Sequence, residues 1–110
     1  MYQGTTPNII YLVKNYDLTG AKLFISFKKG NDTVLTITEG YTVAYDDETK
    51  NTTVVCPLTQ EQTLSFKQGS IMSQIRFIFS NGQAFSTNKV ALEVSNVLYP
   101  EIISYGGDEG

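Results

Sequence analysis

The sequence predicts an all-β domain, an immunoglobulin-like antiparallel β-sandwich of about seven or eight strands with one short helix. Three observations carry that expectation. Short β-branched and aromatic runs recur along the chain, Gly, Asn, Asp and Pro punctuate them at close intervals, and a single segment carries helix-boundary signals. A closed barrel is the next architecture compatible with the same pattern. At 110 residues, 41% hydrophobic and 12% aromatic, the chain suits one domain. Such a domain buries roughly 65% of its unfolded surface and needs neither disulfide nor metal. Residues 1–105 are expected to form it, and residues 106–110, Gly-Gly-Asp-Glu-Gly, a flexible C-terminal tail.

The first strand is expected over residues 8–13, the apolar run Asn-Ile-Ile-Tyr-Leu-Val. Residues 21–27 follow, where alternation sets Leu23, Ile25 and Phe27 on one face against Lys22, Ser26 and Lys28 on the other. Gly30-Asn31 supplies a turn into a partner strand over residues 33–38. Residues 41–45 and 52–57 read as a second hairpin around the polar tip Asp46-Asp47-Glu48-Thr49-Lys50-Asn51. Thr59 and Gln62 have the spacing of a capping box, so a helix over residues 60–67 is expected, packing Leu64 and Phe66 and stopped at Gly69. The clearest strand is 70–79, with Ile71, Ile75, Phe77 and Phe79 on one face. Asn81-Gly82 turns it back into a return strand over residues 84–88 that runs on through residues 89–94, with Val90, Leu92 and Val94 facing inward.

Composition excludes most chemistry. Histidine is absent and there is one cysteine. No Ser-His-Asp or Cys-His arrangement can therefore form within the chain, nor a zinc site or an intrachain disulfide. Cys56, in Val54-Val55-Cys56-Pro57, reads as a small core residue. The acidic cluster Asp46-Asp47-Glu48 lacks the alternating spacing of a calcium loop and reads as a solvated hairpin tip. A net charge of -3, with Lys28-Lys29 the only adjacent basic pair, argues against nucleic-acid binding. No apolar run approaches the ~20 residues that span a bilayer, and the first residues lack the pattern of a signal peptide. No catalytic, cofactor-binding or metal-ligating residue is assigned; the chain is expected to be a non-enzyme without cofactors. Seven tyrosines keep a carbohydrate-binding module for host-surface recognition open as an alternative.

A resemblance adds a setting. Tyr2-Gln3-Gly4-Thr5-Thr6-Pro7 resembles the opening of small proteins encoded in tail-gene clusters of Firmicute phages and prophages. Further stretches match in order. They are residues 22–28, the helical stretch 58–69 (the most distinctive), Gln74-Ile75-Arg76 with Asn81-Gly82, and Ser86-Thr87-Asn88-Lys89-Val90. The group is similar in kind to the immunoglobulin-like N-terminal domain of phage baseplate upper proteins, but this sequence ends soon after Leu98-Tyr99-Pro100 with no receptor-binding region following. The resemblance implies a structural or accessory protein of the tail or baseplate. Its partners would be other tail or baseplate proteins, self-association being compatible with the role, and its place the virion or the host cytoplasm during assembly. Sandwiches make contacts through strand edges and end loops. The expected contact residues are Ile9 and Tyr11 on the first strand and Leu98, Tyr99, Ile102 and Ile103 near the C-terminus. For Ile102 and Ile103, packing back onto their own domain is an equal alternative.

Overall fold

The computed structural model describes residues 1–105; the expected flexible tail at 106–110 lies outside the described residues. Eight strands and one helix follow in order: β1 (Asn8–Lys14), β2 (Lys22–Lys29), β3 (Asp32–Ile37), β4 (Thr42–Asp46), β5 (Asn51–Pro57), α1 (Gln60–Ser65), β6 (Gly69–Ile78), β7 (Ala84–Ser86) and β8 (Val90–Val94). They form two antiparallel sheets, β1-β5-β4 and β3-β2-β6-β7, with β8 also paired to β6. In immunoglobulin lettering, β1, β5 and β4 stand as B, E and D, and β3, β2, β6 and β7/β8 as C′, C, F and G. The fold is an immunoglobulin-like β-sandwich.

Alternation builds the core. Leu23, Ile25 and Phe27 of β2 and Ile71, Ile75 and Phe77 of β6 are buried on the inner face of one sheet; Tyr11, Val13, Val54 and Cys56 are buried on the other. Helix α1 closes one end. Thr59 accepts from the Gln62 N–H at 3.1 Å, and the Gln62 side chain accepts from the Thr59 N–H at 2.8 Å, the reciprocal box its spacing predicts. The helix stops earlier than expected. Phe66 is already extended (φ -77, ψ 133) and fully buried, its ring centroid 5.4 Å from that of Phe27. Burying that ring outweighs another helical turn. Gly69 therefore does not cap the helix; it opens β6 at φ +122, where a Cβ would stand 2.7 Å from Lys29 Nζ.

At the other end, Tyr16, Phe77, Phe79 and Phe85 make a cluster of ring contacts with centroids 5.1 to 6.0 Å apart. Buried Thr52 ties the loop after β1 to the core, donating to the Tyr16 carbonyl at 2.6 Å and accepting from the Leu18 N–H at 3.2 Å. The Asn81-Gly82 hairpin forms, with the Gly82 N–H bonded to the Phe79 carbonyl and the Phe79 N–H to the Gln83 carbonyl, both 2.9 Å. Only Gly82 has positive φ (+90), so the turn is a wider one with a glycine bulge.

The return strand is one path broken in the middle. β7 pairs with residues 76–78 and β8 with residues 69–73 along the same edge of β6. Thr87 bridges the break: its N–H donates to the Ile75 carbonyl at 2.9 Å, and its hydroxyl accepts from the Ile75 N–H at 3.1 Å. The side-chain bond replaces the missing ladder bond. β8 is shifted in consequence. Val94 is buried and Leu92 half-buried, but Val90, expected inward, is 43% exposed beside the break.

Candidate functional site

The ladder between β1 and β5 determines which atoms of β1 are free. The Leu58 N–H donates to the Pro7 carbonyl at 2.9 Å and the Asn15 N–H to the Lys50 carbonyl at 3.0 Å. Between those two bonds the register pairs Ile9 with Cys56, Tyr11 with Val54 and Val13 with Thr52. Antiparallel bonds alternate, so odd-numbered residues turn their backbone groups toward β5 and even-numbered ones turn them outward. Among the described residues nothing pairs with the outward groups of Asn8, Ile10, Leu12 and Lys14. In immunoglobulin lettering this is the edge of B on which strand A would lie.

The same parity separates the side chains. Tyr11 is buried and Ile9 half-buried against the core, while Ile10 and Leu12 are 66% and 58% exposed. The expectation that Ile9 and Tyr11 are contact residues is corrected accordingly: the strand's exposed apolar residues are its even ones. Both phases of β1 are apolar, which hides the inward face. The available signal was that Asn8 and Lys14, the polar ends, share the phase of Ile10 and Leu12. Sequence reasoning also missed Tyr16 and Val90.

Between this edge and the β7/β8 break lies an open groove of about 460 Å³. Its walls are Tyr11, Leu12, Val13 and Lys14 on one side and Ser86, Thr87, Asn88 and Val90 on the other, with Tyr16 and Phe77 between them. Beneath it, the Tyr11 hydroxyl and Ser73 Oγ share a buried hydrogen bond of 2.5 Å between β1 and β6. Those are the counterparts of B and F, the strands that antibody domains join by a disulfide. Burial pushes the Tyr11 phenol up to about 12, partly opposed by the Ser73 bond.

The C-terminal contact candidates are all on the surface: Leu98 is fully exposed, and Tyr99, Ile102 and Ile103 are 66%, 61% and 61% exposed. Among the described residues their backbone is tethered at one point. The Gln60 side chain donates to the Ile103 carbonyl at 2.7 Å and accepts from its N–H at 2.6 Å. Gln60 begins α1, so the structure holds this segment against the domain without burying its apolar side chains.

Elsewhere the described residues offer little chemistry. No three of His, Cys, Asp and Glu are grouped to hold a metal ion, and no helix is long and apolar enough to cross a membrane. Cys56 is buried, and burial raises its thiol to about 11, leaving it protonated near neutrality. Asp46 caps its own hairpin tip, accepting from the Glu48 N–H at 2.9 Å, and Asp47 pairs with Lys50 at 3.0 Å in full solvent. The exposed residues Tyr2, Tyr99 and Tyr105 take part in none of the ring contacts found among the described residues.

No family model matches the sequence, and no curated protein matches it. A similar solved structure is AggA, the major subunit of aggregative adherence fimbriae type I from Escherichia coli. It is 10% identical, the match covers 87% of this chain and 89% of that chain, and the TM-score is 0.40.

Proposed function

We propose that this chain is a non-enzymatic structural or accessory protein of a phage or prophage, part of the tail or baseplate, acting through protein–protein contacts. The observation that carries the reading is the open edge of the sandwich. β1 presents unpaired backbone with Ile10 and Leu12 exposed beside a groove. A free protein usually blunts such an edge, because it invites another strand; a protein that docks has a use for it. The chemistry of the chain agrees: histidine is absent, and the single thiol is buried and protonated. The tail-gene setting comes from the resemblance of the opening residues 2–7 and the helical stretch 58–69. On this reading the protein belongs in the virion or in the host cytoplasm during assembly.

Two measurements test the reading together: mass spectrometry of purified virions, and co-purification of the tagged chain with the products of flanking genes. The chain is expected in the virion or bound to a tail component. Absence from virions, combined with elution alone beside every tail protein, refutes it.

A further inference from the structure

We infer that β1 of a second copy of this chain covers the open edge of β1, the two strands pairing antiparallel across a two-fold axis at Tyr11. The inference rests on the reading above only in taking the chain to act through protein contacts. The other sheet edges are blunted. β3 carries a bulge at Val34, the residue that its register with β2 skips. β7 and β8 are interrupted at Thr87, and the exposed residues of β4 are Thr42, Ala44 and Asp46. β1 has no such device along its length: it runs seven residues in unbroken register with β5, without proline, and exposes Ile10 and Leu12. Its one charge, Lys14, stands at the end.

The strand is complementary to itself in one register. Its free backbone groups belong to Asn8, Ile10, Leu12 and Lys14, so these residues must face one another as hydrogen-bonded pairs. With the axis at Tyr11, Asn8 meets Lys14 of the second copy and Ile10 meets its Leu12. Every outward group of both strands is then matched. Residues directly opposite share a face, so Ile10 and Leu12 of both copies gather into one apolar cluster on the outer face. An axis at Ile10 would set Leu12 against Asn8, and an axis at Leu12 would set Ile10 against Lys14. The Tyr11 axis alone pairs both apolar residues with apolar residues.

Charge selects the same axis. Lys14 lines the groove and is in no salt bridge among the described residues. The axis carries it to the Asn8 end of the second copy, where the Leu58 N–H meets the Pro7 carbonyl. The segments that come together there, residues 1–13 and 51–66, hold no basic side chain and one acidic one, Glu61 in the first turn of α1. A parallel pairing in register would instead place the two Lys14 side chains together, and like charges opposite each other destabilise a ladder. Across the axis the two three-stranded sheets become one continuous sheet, and the open edge disappears from both copies. The contact is isologous, so it closes at a dimer.

Sedimentation velocity on the full chain across a concentration series tests the dimer, and disulfide trapping tests its register. The average mass is expected to rise about twofold and then stop. Ile10→Lys, on the solvent face, is expected to leave a folded monomer. Ile10→Cys mixed with Leu12→Cys and air-oxidised is expected to give a covalent dimer, because the opposed Cα atoms stand about 5.5 Å apart, within disulfide reach. Ile10→Cys alone would have to bridge a diagonal of roughly 7–8 Å and is expected to stay uncrosslinked. A wild-type chain monomeric at every concentration overturns the inference, and it is the outcome if the chain's own residues 97–105 cover the edge. Assembly beyond the dimer, association that survives Ile10→Lys, or a mixture that fails to cross-link overturns it as well. A monomer that still co-purifies with a flanking-gene product overturns it while leaving the broader protein-contact reading intact.

Discussion

Tyr11→Phe isolates a buried polar link between the sheets. The substitution keeps the ring in its place among β1, β5 and β6 and deletes only the hydroxyl bonded to Ser73 Oγ. Ser73 is 1% exposed, so its hydroxyl loses its side-chain partner where water barely reaches. Leaving a buried hydroxyl unsatisfied costs about 1–3 kcal/mol. For a domain near this size, that lowers Tm by roughly 5–15 °C. Ser73→Ala in turn leaves the buried Tyr11 hydroxyl without its partner, at a similar cost of about 1–3 kcal/mol. Removing both partners leaves no orphan, so the double variant should fall short of the summed single costs by about 1–2 kcal/mol. Urea unfolding of the four proteins with a common m-value measures the cycle. Additivity within about 0.5 kcal/mol refutes the reasoning, since it shows the pair is uncoupled in the folded protein.

The remaining expectations concern the same core and its turns. Tyr11 and Cys56 both hold their protons more tightly folded than unfolded, with folded values of about 12 and about 11 against ordinary values of 10.0 and 9.0. Their contribution is whole below pH 9 and is lost as pH climbs to about 12, roughly 2 kcal/mol each; unfolding midpoints over that window should fall, and less steeply in Tyr11→Phe. Cys56 should resist a soluble disulfide reagent at pH 8 in the native protein and react at once in denaturant, so rapid native labelling contradicts its burial. Gly82→Ala must adopt φ +90 in the hairpin turn, at about 1–2 kcal/mol by urea unfolding. Phe66→Ala should cost about 3–5 kcal/mol, since the ring is fully buried against Phe27.

Much of the sandwich was legible because alternation and turn chemistry act locally. In β2, apolar Leu23, Ile25 and Phe27 alternate with polar neighbours, so one phase alone can face a core. Thr59 and Gln62 sit within one turn, and their capping box needs nothing from the rest of the fold. What was not legible depends on distant residues. The end of α1 is decided by Phe66 meeting Phe27, far away in the chain. Val90 lies outside the core because Thr87 bonds Ile75 and breaks the return strand there. Of the contact candidates, Leu98, Tyr99, Ile102 and Ile103 lie on the surface, whereas Tyr11 lies inside. In β1 both phases are apolar, and only the ladder with β5 reveals which one faces in.

That parity makes β1 two strands in one. Its odd residues belong to stability: Tyr11 and Val13 are buried in the core, Ile9 packs against it, and Tyr11 reaches Ser73 in the opposite sheet. Its even residues, Ile10, Leu12 and Lys14, have their side chains on the solvent face and their backbone groups on the open edge. A substitution at an odd position should therefore move the unfolding free energy and leave association nearly unchanged. One at an even position should do the reverse, because a solvent-facing side chain on an edge strand contributes within about 0.5 kcal/mol to folding. The alternation of a single strand thus allows fold and contact to be perturbed separately, one residue apart. A stability loss at Leu12 as large as that at Val13 would mean that the outer face of β1 is part of the core, and the edge could not then act as a docking site.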